Sequence, residues 1–480
     1  MTDRRAIPAR RTEAEPAPSR ARLTASIVAC ALLMQNLDST VIATALPTMA
    51  RAFGADPVHM NVALTSYLLS LAVFIPASGW IADRYGSRRV FRAAILVFTI
   101  GSVLCGRATS LPFLVLARIL QGAGGAMMVP VGRLLLLRSV AKSELVAAMA
   151  WLTMPALIGP VLGPPVGGLI VTYASWRWIF DINVPIGVIG IVLVSRFVAD
   201  VREPSPGPFD ATGLALSGAA LAALLFGLET AGRGVLAAPL TAGMLGLAGL
   251  AAFGYWRHAR RHPRPVLDFS LMRIRTFGVA VAASTLFRIG VGAVPFLLPM
   301  MLQLGFGDTA AQSGAITFAS AAGAMVMKPA AQWALRLRGF RDTLLWNGLL
   351  SALLLALVAA FRPAWPAAAI YGALLLGGFF RSLQFTAYNA LVYADIPRSR
   401  MSAATSLYST IQQVSLTLGV SAGAASLELA MAFDGHARPG LGDFSAGFLV
   451  VAGVSLLAAP VSLLMPGNAG AELSGRSARC

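Results

Sequence analysis

The chain has 480 residues, 57% of them hydrophobic and only 12% charged, with a mean hydropathy of +0.73. Those totals exclude an ordinary soluble domain and describe an integral membrane protein. The net charge of +18, which in a soluble chain would suggest a nucleic-acid partner, has a blander source here. Most basic residues fall in the tails and in alternate connections, and only six (Arg51, Arg107, Arg177, Arg233, Arg362, Arg438) fall on the opposite side. That bias puts both termini in the cytoplasm.

Fourteen apolar runs cover approximately 23–46, 60–82, 90–108, 112–137, 144–173, 178–198, 209–231, 236–256, 276–302, 310–335, 342–361, 366–393, 402–429 and 443–465. At roughly 20 residues per span they take about 280 residues, which leaves no room for a sizeable soluble domain. All read as helices, since only helices or closed barrels satisfy the backbone in lipid and no ten-residue alternation appears. The first 22 residues, with arginines among prolines, read as a disordered tail. The run from Leu23 to Leu46 is too long for a signal-peptide core, so it is the first span.

An internal repeat organises the rest. Arg118-Ile119-Leu120-Gln121 in the fourth span is echoed by Arg381-Ser382-Leu383-Gln384 in the twelfth. Arg84-Tyr85-Gly86-Ser87-Arg88, before the third span, has a degenerate partner in Arg338-Gly339-Phe340-Arg341, before the eleventh. The predicted organisation is therefore a cytoplasmic tail (1–22), a six-helix bundle (23–198), two inserted helices with their flanking cytoplasmic loops (199–275), a second six-helix bundle (276–465) and a cytoplasmic tail (466–480). Repeated bundles of this kind suit a rocker with its binding site at their interface.

Three stretches carry mechanism. Asp38 lies within the first span, where a carboxylate is costly and needs a partner or a water-filled cavity. The first span runs outward and the fourth inward, so Asp38 and Arg118 share a depth and can pair. Burial and a neighbouring guanidinium push a carboxyl pKa in opposite directions, and a group balanced between them can exchange a proton. Proton coupling and a static pair holding two helices together both remain open. In the fourth span Arg118, Gly122 and Gly125 share a face, allowing a close neighbour beside the charge. In the fifth, Gly159, Gly163 and Gly167 recur every fourth residue as a packing stripe, and Pro160, Pro164 and Pro165 should bend the helix.

The connection Gly79-Trp80-Ile81-Ala82-Asp83-Arg84-Tyr85-Gly86-Ser87-Arg88-Arg89 is a charged corner between two spans. It resembles the signature loop between helices 2 and 3 of the major facilitator superfamily. The chain as a whole resembles that superfamily's fourteen-helix drug:proton antiporter branch, the EmrB/QacA type. Asp38 to Pro47 is similar to the branch's helix 1 motif, Arg118 to Ala126 to its helix 4 motif, and Gly159 to Gly168 to its antiporter motif in helix 5. Trp176 to Gly187 is like the branch's helix 5–6 junction. The resemblance implies alternating-access export driven by inward proton flow, with Asp38 and Arg118 coupling the proton. It also implies that Gly79, Asp83, Arg84, Gly86, Arg88 and Arg89 lock one conformation, and that Gly159, Pro160, Gly163, Pro164, Gly167 and Gly168 form the antiporter motif. Ser87 stands where the family is commonly basic, and the second copy of the loop has no acid matching Asp83.

Candidate pocket residues are Gln35, Gln121, Arg288, Arg381, Gln384, Tyr388, Asn389, Tyr408 and Gln412, whose amides and rings suit an amphiphile or simply glue helices together. Asp38 set against Arg118, Arg288 and Arg381 leaves the interior positive, favouring neutral or anionic cargo over dications. Lys328 should reach the interface as a structural residue. Cys30, Cys105 and Cys480 offer no disulfide or metal pair, and the four histidines show no metal-ligand spacing. The expectation is a monomeric, multi-pass transporter of the bacterial plasma (inner) membrane, in contact with membrane lipids. It is not an enzyme and has no nucleic-acid partner. It carries no metal or cofactor and draws on the proton gradient. A proton symporter or facilitator on the same fold, or a non-transporting sensor, are the alternatives.

Overall fold

The computed structural model describes residues 18–54, 60–140, 144–198, 207–230, 237–436 and 438–474. The described chain is helical throughout. The first half holds α1 (Pro18–Phe53), α2 (Asn61–Phe74), α3 (Ser78–Tyr85), α4 (Ser87–Gly106), α5 (Leu111–Ser139), α6 (Leu145–Tyr173), α7 (Trp178–Asp181) and α8 (Asn183–Phe197). Two further helices follow, α9 (Ala211–Thr230) and α10 (Ala238–Ala259). The second half holds α11 (Arg275–Gly292), α12 (Val294–Met300), α13 (Ala310–Val358), α14 (Ala367–Leu391), α15 (Met401–Asp434), α16 (Leu441–Leu456), α17 (Ala458–Ser462) and α18 (Ala471–Ser474).

Among the described residues, twelve helical stretches are long and apolar enough to cross a membrane. One of them, Gln312–Val358, is broken at Gly339, where φ is 76° and ψ 174°. The first half turns at the matching place: Gly86 has φ 92° and caps α3 before α4 begins. Both turns need a left-handed φ that a side chain would strain, so the glycines are dictated by the corner. The internal repeat read from sequence is thus a repeat of backbone geometry.

Lipid is as apolar as a helix surface, so apolar burial alone does not hold such helices together; small residues and polar contacts do. The pairing of α13 with α14 shows this. A Cβ on Gly323 would overlap the Leu375 carbonyl, and one on Gly378 the Ser320 carbonyl. Large apolar side chains such as Leu250 (73% exposed) and Leu353 (65%) point outward, as lipid-facing residues do.

The cores differ at the two ends of the molecule. Near the arginine-rich connections, both halves share one continuous cluster, in which Val90, Phe98 and Met149 join Phe287, Phe340 and Leu407. At the opposite end the halves part. Val41, Met49, Cys105 and Trp176 form one cluster, while Leu297, Met301, Phe361 and Phe448 form another. The basic end is therefore closed between the halves, and among the described residues the far end is not joined by a common core.

Some boundaries differ from expectation. Helix α1 begins at Pro18, inside the stretch read as a disordered tail, and residues 1–17 lie outside the described ones. The C-terminal stretch 466–474 is not a loose tail: Leu473 and Ser474 are buried, and Gly470 packs on Phe340 and Leu391. Span nine divides at Ala293 into α11 and α12 and ends in a π turn, Met301–Gly305.

Candidate functional site

Asp38 and Arg118 meet inside the first bundle. Arg118 Nη1 donates to Asp38 Oδ2 at 2.6 Å, and neither side chain is exposed to solvent. Gln121 Nε2 donates to Asp38 Oδ1 at 2.8 Å and Asn183 Nδ2 to the same oxygen at 3.0 Å. Arg118 also donates to Gln121 Oε1 at 2.6 Å and, through Nε, to the Ala63 carbonyl at 3.1 Å, and it stacks over Tyr67 at 4.2 Å. Each position follows from its helix. Gly122, one turn from Arg118, lets α2 come so close that a Cβ would lie 2.8 Å from the Tyr67 carbonyl. That approach places the Tyr67 ring under the guanidinium. At the other side, Ser102 Oγ donates to the Phe180 carbonyl at 2.9 Å and accepts from Asn183 Nδ2 at 2.9 Å. The junction of α7 and α8 thereby aims Asn183 at the carboxylate. The sequence reading expected a partner or a water-filled cavity at Asp38; the structure supplies the partner, and every described partner comes from the same bundle. Gln35, on α1, borders the cluster, with its Nε2 3.5 Å from where a Gly125 Cβ would sit.

The charged corner lies at the shared core and joins the halves. Asp83 Oδ1 accepts from Arg138 Nη2 at 2.8 Å, and its Oδ2 accepts from Ser402 Oγ of α15. The Gly79 amide donates to Ser406 Oγ at 2.8 Å, and a Cβ there would lie 2.7 Å from the Ser402 carbonyl. Ser87, which stands where the family is commonly basic, is fully buried and accepts from Arg138 Nη1 at 2.8 Å. Arg88 donates to the Ser195 carbonyl, and Arg84 and Arg89 are exposed. The acid's cationic partner is thus Arg138 of α5, which sequence reading did not single out, rather than a neighbour in the loop. In the second copy of the corner, Arg336 precedes Gly339 by the same three residues that separate Asp83 from Gly86.

The α6 stripe packs on α1. A Gly159 Cβ would lie 2.7 Å from Asn36 Cβ, one on Gly163 would overlap Thr40 Oγ1, and Thr40 Oγ1 donates to the Gly159 carbonyl at 3.2 Å. Gly167 is buried, whereas Gly168 has nothing within 4 Å of a built Cβ, so it takes no part in close packing. The side chains of Pro160 and Pro164 lie outside the described residues, and α6 runs without a break over its 29 residues.

The second bundle divides the pocket candidates in two. Gln384 and Tyr388 act as glue: Gln384 Nε2 donates to the Leu344 carbonyl at 3.0 Å and lies 3.2 Å from Tyr388 Oη, which meets Ser462 Oγ at 3.2 Å. Arg381, similarly, donates to Ser320 Oγ. Asn389, Tyr408 and Gln412 instead surround Arg288. Asn389 Oδ1 accepts from Arg288 Nη2 at 3.1 Å, Tyr408 Oη at 3.1 Å and Gln412 Nε2 at 2.9 Å. Arg133, from α5 of the first bundle, completes the group by donating to Gln412 Oε1 at 3.1 Å. Arg133 was missed because an arginine near the basic end of a span reads as an interfacial anchor. Lys328 does not reach an interface: it is buried and donates to Thr386 Oγ1 at 3.1 Å.

Two groups bring three candidate metal ligands together, Asp210 with His258 and His262, and Asp434 with His436 and Asp443. Each has a structural role. Asp210 caps α9, accepting from the Gly213 amide at 2.8 Å, and holds His258 Nε2 at 2.7 Å. Burial pushes its carboxyl up, but hydrogen bonds from Gly213, His258 and Val266 outweigh this and hold it below its ordinary value. Asp443 caps α16 by accepting from the Gly440 amide at 2.7 Å, and its contact raises the pKa of His436.

Comparison with known proteins agrees with this architecture. The sequence profile of the Major Facilitator Superfamily matches residues 28–420. The chain belongs to that superfamily. Relatives named multidrug resistance protein MdtD match most of its length. The one from Serratia proteamaculans is 40% identical over 399 residues, 82% of this chain and 83% of its own. The one from Citrobacter koseri is 38% identical over 409 residues, 84% and 85% of the two chains. Among solved structures, the human organic anion transporter MFSD10 superposes with a TM-score of 0.65 at 16% identity, covering 93% of this chain and 99% of that one. A double-tryptophan mutant of XylE gives 0.65 at 15%, covering 95% and 98%. At those identities the structures speak for the fold alone. The protein is thus a membrane transporter of this superfamily with multidrug resistance relatives, and not an enzyme.

Proposed function

We propose that this chain exports small amphiphilic compounds in exchange for protons, by alternating access, across the bacterial plasma membrane. It would cross the membrane fourteen times with both termini in the cytoplasm. That count takes the twelve apolar stretches, divides Gln312–Val358 at its Gly339 break and adds α6. The orientation follows from the arginine bias, because positive charge stays on the cytoplasmic side. The relatives named multidrug resistance protein support a drug-like cargo.

The observation that carries the reading is the sealed Asp38–Arg118 pair. A fully buried carboxylate and guanidinium hold each other only as long as both are charged. Protonating Asp38 removes the countercharge of Arg118, and α5 connects that event to the gate. Arg118, Arg133 and Arg138 all stand on this one helix, spread over roughly 30 Å at 1.5 Å per residue. The proton site, the inter-bundle contact and the corner lock are therefore linked along a single helix, which carries Pro130 between Arg118 and Arg133. In the closed-inward arrangement, Asp83 and Gly79 hold α15; release of Arg118 would loosen α5 and, with it, Arg138 from Asp83.

Inside-out vesicles carrying the purified protein test this. With an acidified lumen, an exporter accumulates an amphiphilic substrate and lets protons out as it does so. Uptake that is indifferent to the proton gradient would remove coupling, and uptake favoured by the reverse gradient would make the protein a symporter.

A further inference from the structure

Asp38 neutralises Arg118, but the other buried guanidiniums at the seam have no such partner. Arg133 is 6% exposed and Arg288 8%. Among the described residues no carboxylate forms an ion pair with either, and the Nε of each is buried with no hydrogen-bond partner. Buried charges are ordinarily paired, because desolvating a lone ion is costly. Here neutral groups stand where a countercharge belongs. Arg288 donates to Asn389 Oδ1, Gln412 Nε2 donates to the same oxygen, and Gln412 Oε1 accepts from Arg133. Asn389 Oδ1 takes a third donor, the Tyr408 hydroxyl. Three donors thus converge on one uncharged oxygen, an arrangement better matched to an anion. The guanidiniums lie 5.5 Å (Arg133) and 5.9 Å (Arg288) from the centroid of the same Tyr408 ring, and Arg288 also lies 4.7 Å from that of Phe385. The walls are thus aromatic.

The position fits cargo. Arg133 comes from the first bundle and Arg288 from the second, so the group exists only while the bundles meet. Arg288 also sits at the level where the shared core ends, at Val291, and the separate core of the second bundle begins, at Ala293.

We propose that the compound carried by this protein bears an anionic group, a carboxylate or sulfonate on an aromatic or aliphatic body, and that Arg133 and Arg288 receive it. The inference rests on the transporter reading and adds the charge of the cargo. The anion displaces the amide oxygens of Asn389 and Gln412 as acceptor, while Tyr408 and Phe385 pack against the apolar body.

Calorimetry on the full chain in detergent tests it with three probes on one aromatic body: naphthalene-2-carboxylate, naphthalene-2-methanol and naphthyl-2-trimethylammonium. The carboxylate should bind about 10- to 100-fold more tightly than the ammonium, the range of charge-assisted hydrogen bonds. Arg288→Gln and Arg133→Gln should each erase most of that preference, weakening the carboxylate far more than the alcohol, and Arg288→Lys should keep part of it. Equal or tighter binding of the ammonium overturns the proposal. So does weakening of carboxylate and alcohol alike, which would make the arginines structural. A protein that exchanges the alcohol for protons but ignores probe charge loses this inference and keeps the transporter reading. One that prefers the carboxylate but shows no coupled flux does the reverse.

Discussion

The two bundles carry buried polar clusters on related helices, and they differ by one acid. In the first, Asp38 gathers Arg118, Gln121 and Asn183 into a neutral group sealed within its own bundle. In the second, Asn389 gathers Arg288, Tyr408 and Gln412 but offers no charge, and the group reaches across the seam to Arg133. The fourth-span motif and its twelfth-span echo start from the same Arg and Gln spacing. The acid-bearing cluster keeps its charge balanced and internal; the echo's own Arg381 and Gln384 act as glue, and the positive charge gathers instead around Asn389 and Gln412. On the proposed reading, the repeat divides its labour, with one half handling the proton and the other the cargo.

The sharpest way to break the comparison is Asp38→Asn. It keeps the hydrogen-bonding shape but strands Arg118, which should cost about 3–5 kcal/mol of stability. Proton-driven transport should be abolished in protein that still inserts in the membrane. Full coupled transport in that variant would reduce the pair to a static brace. The complementary change, Asn389→Asp, supplies the acid that the second cluster lacks. It should raise thermal stability by about 1–3 kcal/mol through charge-assisted hydrogen bonds, and it should remove the preference for anionic probes. An unchanged melting temperature together with an unchanged preference would show that the cluster is already compensated.

Next in size is Asp83→Asn at the gate. It weakens the contacts to Arg138 and Ser402, so the balance between closed and open forms should shift about 10- to 100-fold, in the range of hydrogen bonds to charged groups. Turnover should change more than affinity, and a pure affinity effect would remove the lock role. The smallest effect is expected for Asp210→Asn. Asparagine also caps helices well, so the loss at neutral pH should stay below about 1 kcal/mol. Because the Asp210 carboxyl is held below its ordinary value, its contribution is complete above the unfolded pKa and is lost as pH falls through the lowered one. The melting temperatures of wild type and variant should therefore converge only in acid.

Much of this was legible in the sequence. Run length and arginine bias indicated a helical membrane protein, and the rarity of an intramembrane acid singled out Asp38 together with Arg118, because their depths agree. Gly86 and Gly339 were visible as repeated corner residues. Partners that depend on which way a helix face turns were not legible. Asn183 stood in the junction motif without a role, Ser102 looks like an ordinary polar residue in an apolar run, and only the approach of α4, α5 and α8 brings Asn183 to the carboxylate and Ser102 to Asn183. Arg138 and Arg133 were hidden because an arginine near a span's basic end has a simpler explanation in topology. Lys328 was misjudged for the same reason, since nothing in its own helix shows that α14 covers it.

The inserted pair has a consequence for access. Helix α9 rests on both sides of one seam: Leu221 and Leu225 pack with Leu69 and Ala72 of α2 and with Val414 of α15, and Thr65 Oγ1 meets Glu229 Oε1 at 3.1 Å. That flank is shuttered from the bilayer along its length. At the opposite flank, where α6 meets α13, the four-residue α18 touches both helices, so the cover there is far shorter. A compound dissolved in the lipid leaflet would therefore meet two unlike flanks, in contrast to the symmetry of the paired bundles.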